Sequence, residues 1–345
     1  MRLAALAVLA ASLLAAAIYH MAGFATAAVF ILFGLAYGFL LQWGKICFAT
    51  AFYGWNLALT RAILLSILTA SAGALALEAT GFTVPSLPPA SLHIFLGSVL
   101  FGVGMALAGG CITGTIFRLG SGSLQHAVAF VGILTGAAVG VFATWPIAEL
   151  FMQYGARPWL LLGPHISFVI NAAVVFGAVL YLYRKEGTRP FSDLRAPVYI
   201  AAILFAALWV IQFATYGALI TQVPITRAVV YTASLQPPES WVSFAGGLRP
   251  PPEDPLLLLI MAMIAGAAVS ALYRGEYLGF SKVDKKSAIV AFAGGFLMGL
   301  GAWLAVGCNV SGFYSATAAL RVEGWLYALG LLAGAIAGLK IRARL

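Results

Sequence analysis

The chain has 345 residues, 63% of them hydrophobic and 8% charged, with a mean hydropathy of +1.01. Soluble domains are about 25% charged, so the composition excludes a soluble globular protein and indicates an integral membrane protein. The net charge of +9 comes from 19 Lys and Arg against 10 acids, scattered among loops with no basic stripe or aromatic platform, which excludes a nucleic-acid partner.

Apolar runs near 20 residues long follow one another, the length of a helix that crosses a bilayer. None shows the alternating segments of about 10 residues that mark a membrane barrel. The expectation is an all-α, polytopic protein forming a single membrane domain over 1–345, with about nine to ten membrane helices. The first run, from Met1 to Tyr19, carries one basic residue, Arg2, and another apolar run follows almost at once. That favours a first helix over a signal peptide. The next run is interrupted in LQWGKICFATAFYGW (Leu41–Trp55), where Gly44 and Lys45 stand beside Cys47. Glu78 ends the following run just before ATGFTVPSLPP, a place at a mouth rather than in a proton relay. A further run breaks at LAGGCITGTIFRLGSGS (Leu107–Ser123), where Gly109, Gly110 and Gly114 surround Cys111 and Arg118 follows.

The second half repeats the first. Gly97–Cys111, GSVLFGVGMALAGGC, and Gly294–Cys308, GGFLMGLGAWLAVGC, are identical at eight of fifteen positions without a gap. The match includes Gly110/Gly307 and the cysteines, which compositional bias toward Gly does not produce. Gly132, Gly136 and Gly140 match Gly330, Gly334 and Gly338, and Arg118 roughly matches Arg321. These GxxxG runs read as close helix packing. The repeat halves are about 1–145 and 197–345, joined by a connector, 146–196, whose apolar run Ile166–Tyr183 supplies an odd crossing and so inverts the second half. TYGALITQVPITRAVVY (Thr215–Tyr231), with Pro224 and Arg227, is the second half's other broken segment and lacks a cysteine. Arg184–Arg195 and Arg274–Lys286 each hold four Lys or Arg, the tail holds Lys340, Arg342 and Arg344, and the proline-rich loop Pro237–Pro255 holds one Arg and three acids. By the positive-inside rule the first three are cytoplasmic, the C-terminus included, and the last is outside.

Unwound backbone in lipid is tolerated only when buried in protein or facing a polar path. The start of a half-helix is an anion site, and glycine lets a ligand approach the backbone closely. Thr113, Thr115, Asn309 and Ser311 add small polar groups beside Cys111 and Cys308. A thiol is a soft, weak donor suited to a sulfur-containing solute. The candidate substrate path is therefore Cys47, Cys111, Cys308, Gly110, Thr113, Gly307, Asn309 and Ser311, with Lys45, Arg118 and Arg321 nearer the mouths. Cys47 alone would read as a small buried hydrophobe, and Arg118 and Arg321 also fit interfacial anchors. His20, His93, His126 and His165 sit mostly at segment ends. Three thiolates also suit a soft ion such as Cu(I), but no Cys-x-x-Cys, Met or His stands near enough to support a metal site. No hydrolase, kinase or redox motif is present, so neither catalytic residues nor a cofactor are expected.

GVGMALAGGCITGTIFRLGSGS, its partner GLGAWLAVGCNVSGFYSATAALRVEGW and the upstream GKICF resemble the YeeE/YedE family of prokaryotic inner-membrane proteins linked to thiosulfate uptake and to sulfur or selenium metabolism. The resemblance spans both halves. It implies an hourglass-shaped, pseudo-twofold helical protein whose re-entrant loops meet at the membrane centre, with Cys47, Cys111 and Cys308 along a thiosulfate path. It also implies a small TusA-like sulfur carrier as partner. The second half departs from the first: Asn309-Val310-Ser311-Gly312 stands where Ile112-Thr113-Gly114-Thr115 stands, which widens the substrate to a sulfur oxyanion or related solute. A membrane persulfide relay and a soft-metal or selenium-compound transporter are the alternatives. An inverted repeat places the two Gly-Cys breaks at one depth near the midplane, the three cysteines buried near the axis, and Arg118 and Arg321 toward opposite faces.

Overall fold

A computed structural model of the chain describes residues 1–53, 56–82, 89–156, 158–187, 197–321 and 323–345. Part of the basic segment Arg184–Arg195 (188–196) and part of the Glu78 loop (83–88) lie outside them. The described residues are helical, with no strand beyond one isolated bridge between Ala90 and Ala156. Among the described residues, ten helical stretches are long and apolar enough to cross a membrane, within the expected nine to ten.

In chain order, α1 (Arg2–Met21) and α2 (Ala25–Trp43) form a hairpin. A break and one turn, α3 (Thr50–Tyr53), lead to α4 (Leu57–Ala79). Next come α5 (Leu92–Ala108), α6 (Ile112–Gly120) and α7 (Leu124–Ala143), then α8 (Trp145–Gln153) and the connector helix α9 (Pro158–Glu186), kinked at Gly163. The second half holds α10 (Pro197–Tyr216), α11 (Gln222–Thr232), α12 (Glu239–Phe244), α13 (Pro255–Arg274) and α14 (Lys285–Leu304). A π-helical turn (Asn309–Ser315), α15 (Ala316–Ala318) and α16 (Glu323–Arg342) complete it. Side-chain caps start several of these. Asn56 accepts from Leu59 N at the head of α4, Asp284 from Ser287 N at α14, and Asp254 from Leu256 N and Leu257 N at α13, where Pro255 takes the first helical position. Each cap pairs a donor that the helix itself leaves open.

Glycine decides which helices meet. A Cβ on Gly97 would stand 2.2 Å from Ala305 N, and one on Gly294 2.4 Å from Ala108 N. These four positions are two matched pairs of the sequence repeat, so α5 and α14 lie antiparallel with each making on the other the contact it receives. The same reciprocity runs outward. α7 packs parallel on α14 through Gly132 against Phe292 O and Gly136 against Phe296 O, and α16 packs parallel on α5 through Gly334 against Val99 O. On the other flank α2 runs with α13 (Gly38 on Met263 O) and α4 with α10 (Gly73 on Val210). Small residues let backbones approach where lipid supplies no hydrophobic drive for association.

The helix directions give the bundle two unlike ends. Lys45, Glu276, Arg274 and Arg342 gather at one, joined by contacts of Ser121 and Gly122 with Leu278 and Phe280; it is called the basic end below. The other holds the loop before α13, Glu78, Arg321 and Glu323. α1 lies on α2 and α13, with Arg2 over the Tyr273 ring at 5.6 Å and Tyr19 Oη donating to Pro252 O at 2.8 Å.

The packing predicts opposite outcomes for one substitution at two helical glycines. Gly136→Ala drives a methyl to 2.1 Å from Phe296 O and is expected to destabilise the protein by about 1–3 kcal/mol. Gly177→Ala on α9 meets nothing within 4 Å and is expected to be neutral or to stabilise by up to about 1 kcal/mol. Thermal unfolding of both variants in one detergent checks the contrast.

Candidate functional site

Cys111 and Cys308 occupy the same local structure. Each is the extended residue immediately before a new helix, as an N-cap: Cys111 before α6, Cys308 before the π-helical turn. The Cys111 carbonyl accepts from Thr115 N at 2.7 Å and the Cys308 carbonyl from Gly312 N at 2.6 Å. Cys111 Sγ accepts from Gly114 N at 3.3 Å. The sulfurs thus stand at helix N-termini, where backbone N–H groups and the helix dipole favour negative charge. Two residues earlier the chain must turn through a left-handed conformation. In the first half Gly109 does so (φ 82°); in the second Val306 does (φ 54°), a strained conformation for a β-branched residue.

All three cysteines are buried and free of disulfides. They differ in their partners. Cys47, in the break after α2, reaches Cys111. Both sulfurs lie over Gly114, where an added Cβ would be 2.6 Å from Cys47 Sγ and 3.6 Å from Cys111 Sγ. Cys308 has hydroxyl neighbours, Thr221 Oγ1 at 3.2 Å and Ser311 Oγ at 3.4 Å. Ser311 Oγ also accepts from Cys308 N at 2.9 Å and donates to Gln222 Oε1 at 3.0 Å. The sequence-based expectation put the two Gly-Cys breaks at one depth. The helix ends Ala108 and Ala305 stand at the two ends of the α5–α14 overlap, eleven residues or roughly 16 Å along the helix, because Gly97 seats on Ala305 and Gly294 on Ala108; beyond them Cys111 and Cys308 come within electrostatic reach of each other. Asn309 bridges inward from the second break, donating to Met105 Sδ at 3.6 Å, and Met105 O in turn accepts from Tyr53 Oη, Gly109 N and Gly110 N. Thr113 Oγ1, Thr115 Oγ1 and Asn309 Oδ1 are buried without a partner among the described residues.

The glycines of the site serve close approach: a Cβ on Gly110 would crowd Arg118 Nη1 at 2.9 Å, and one on Gly307 would crowd Gly312 Cα at 2.9 Å. Tyr327 Oη donates to Gly307 O at 2.9 Å.

Arg118 and Arg321 lie at opposite ends of α16. Arg118 Nη1 donates to Gly109 O and lies 3.2 Å from His126 Nε2; Arg342 Nη1 donates to Ala106 O at 3.0 Å. Two guanidinium groups therefore cover the carbonyl end of α5, where cations are favoured. Arg321, by contrast, is buried at the opposite end, within electrostatic reach of Glu323 and Glu78. Lys45 pairs with Glu276 at the basic end. Arg227, in the cysteine-free break, is a closed pair: it lies 2.7 Å from Asp254 Oδ1 and donates to Ala245 O at 2.9 Å, both residues buried.

A cavity of about 330 Å³ at the end away from the basic residues leads to the Cys308 site. Val306, Gln222, Ser311, Gly312, Glu323 and Tyr327 are among its lining residues. It is many times the ~30 Å³ that a water molecule occupies in the liquid. A larger hollow between α1, α2 and α10, about 600 Å³, is lined by apolar side chains and Gly266 and offers an ion no side-chain polar partner. Among the described residues no three of His, Cys, Asp or Glu converge to hold a metal ion.

Sequence reasoning missed Thr221, Gln222, Met105, Tyr53, Tyr327, Glu323 and Arg342. Thr221 and Gln222 sit in a break that was recognised, but nothing local shows that this break faces Cys308. Arg342 read as part of a basic tail.

The Lys45 tie has a definite pH range. Its hydrogen bond and charge, with Arg274 close by, hold the Glu276 carboxyl below the ordinary carboxylate range. A depressed carboxylate contributes stability above its unfolded value and loses it as pH falls through the folded one. The melting-temperature difference between the wild type and Glu276→Gln is expected to be constant near neutrality and to close as pH falls below about 4.

The family profile described as "Sulphur transport" matches residues 43–337. The chain is 28% identical over 342 residues to the thiosulfate transporter TsuA of Spirochaeta thermophila, covering 88% of this chain and 95% of that one. It is 24% identical to the thiosulfate transporter TsuA of Escherichia coli, covering 87% and 90%. It is also 29% identical over 162 residues to the probable transporter YedE of Escherichia coli, 45% of this chain and 40% of that one. With both Gly-Cys breaks inside the matched region, the chain belongs to the Sulphur transport, or YeeE/YedE, family.

Proposed function

We propose that this protein takes up thiosulfate or a related sulfur anion across a prokaryotic inner membrane, as a transporter and not an enzyme, with its basic end and C-terminus in the cytoplasm. The observation that carries the reading is the pair of cysteine N-caps on matched helix breaks: one opens toward the cavity at the far end, and the other joins Cys47 toward the basic end. The names of two relatives matched along nine-tenths or more of their length support the substrate.

The anion enters the cavity and meets Ser311, Gln222 and the Cys308 thiol. It passes Asn309 and Met105 to Thr113, Cys111 and Cys47, and leaves near Arg118, Arg342 and Lys45. Hydroxyls, thiols and backbone dipoles hold it weakly at several points, which favours passage over trapping. The antiparallel seating of α5 on α14 supports an inverted repeat, 1–145 against 197–345 about the connector 146–196. Its axis crosses the seam, so the two breaks address opposite sides of the membrane. A TusA-like carrier at the basic end would consume the delivered sulfur and sustain inward flux.

Growth of a sulfur-auxotrophic host on thiosulfate as sole sulfur source tests this. At equal membrane expression, Cys111→Ala and Cys308→Ala are each expected to slow uptake on the order of tenfold or more, the size of a lost hydrogen bond to a charged group. Gly114→Ala, which leaves every thiol present but displaces Cys47, is expected to do likewise. Uptake unchanged in all three would reduce the cysteines to packing residues. A second reading, persulfide relay, draws on the Cys47–Cys111 contact with Lys45 and Arg118 near it, since a cationic setting favours a reactive thiolate. Mass spectrometry after thiosulfate exposure separates the two: a persulfide on Cys47 or Cys111 favours relay, and unmodified thiols with intact uptake favour transport.

A further inference from the structure

The cavity beside Cys308 is lined by one carboxylate. Glu323 opens α16 there, 5% exposed, and neither of its oxygens has a hydrogen-bond partner among the described residues. The other polar side chains named in the lining, Gln222, Ser311 and Tyr327, are neutral. This is the wrong sign for an antechamber that admits an anion. A buried carboxylate without hydrogen bonds is strongly disfavoured in its charged form, and a second negative charge in the same site disfavours it further.

We propose that Glu323 is a proton-linked gate: an anion occupies the cavity with Glu323 neutral, and the carboxyl ionises again when the cavity empties. The inference deepens the transport reading above and rests on it. The step is a proton transfer alone. A carboxylate oxygen takes a proton from water in the cavity as the anion enters, returns it to water as the anion leaves, and no other bond or oxidation state changes.

The surroundings let both states be reached. Arg321, two residues earlier, acts on Glu323 electrostatically and compensates its charge in the empty cavity. Arg321 is shared with Glu78 of α4, which His165 of α9 faces in turn. The other titratable groups nearby are Tyr327 one turn along α16, Cys308 behind Ser311, and His93 of α5, bonded to Ser91 through Nδ1. Arg227 of α11 is held by Asp254 and Ala245 O, and Arg249 and Glu253 lie in the loop between Ala245 and α13. A merely structural Glu at a helix N-terminus, favoured by the dipole, would give no link between protons and anion.

The test is binding of radiolabelled thiosulfate to the purified full-length protein in nanodiscs, across the pH range in which the protein stays folded. Wild-type affinity is expected to weaken about tenfold per pH unit in the range where Glu323 ionises. Glu323→Gln is expected to bind independently of pH, with the tight affinity the wild type shows at its acid limit. Identical pH profiles in the two proteins, flat or sloping, would overturn the gate while leaving transport intact. No binding by the wild type at any pH would overturn the transport reading and this one with it. Calorimetry of the wild type in two buffers of different ionisation enthalpy, at a pH where its affinity falls with rising pH, gives an answer that does not depend on the variant folding: up to about one proton taken up per thiosulfate is expected, and none would refute the gate.

Discussion

The seam between α5 and α14 is the constraint on which the rest depends. Two antiparallel helices meet glycine to alanine at both ends of their overlap, Gly97 to Ala305 and Gly294 to Ala108, so close that a single added methyl would strike backbone. Immediately past Ala108 and Ala305 the chain turns away, and those turns carry the two cysteine N-caps. The breaks are the ends of a tightly seated pair, not flaws in two separate helices.

Backbone that leaves a helix inside hydrocarbon must find partners, and the structure supplies them in kind on both sides. The Cys111 and Cys308 carbonyls each accept from the residue four positions on. Met105 O receives Gly109 N, Gly110 N and Tyr53 Oη, and Gly307 O receives Tyr327 Oη. With the main chain so paired, the polar atoms left buried without a partner include side-chain groups beside the cysteines, Thr113, Thr115 and Asn309. Such atoms are costly unless something visits them. Charge is treated in the same way: Arg227 is closed off by Asp254, whereas Arg118 and Arg342 cap the carbonyl end of α5. Fixed charge deep in the membrane is neutralised, and the charge available to an anion sits at an end.

The two halves reach the same geometry with different residues. Gly109 and Val306 both adopt left-handed backbone, as do Gly122 and Leu320 in the turns before α7 and α16. In the second half the strain on Val306 and Leu320 replaces glycine's freedom, and Ser311 replaces Gly114 beside the sulfur. The first half gained a thiol partner over Gly114, Cys47, and the second gained hydroxyls, Thr221 and Ser311. The two breaks therefore differ in chemistry, a softer pair of thiols at Gly114 and a thiol among hydroxyls beside the cavity.

Much of this was legible in the sequence. Hydropathy runs determine the helices, because a bilayer demands about 20 apolar residues per crossing. The matched glycines and cysteines mark both breaks, because glycine spacing is the packing code of helices in lipid. What only the tertiary structure decided is which break faces which. Cys47 meets Cys111 across sixty-four positions, and Thr221 meets Cys308 across eighty-seven. No local pattern encodes those pairings, since they follow from the way α2 and α10 flank the central seam. Likewise Arg342 reads as a tail and Glu323 as the start of a helix until parallel packing of α16 on α5 carries one to Ala106 O and the other into the cavity. The sequence specifies the surfaces that must touch; the depth and company of each polar group follow only after they have.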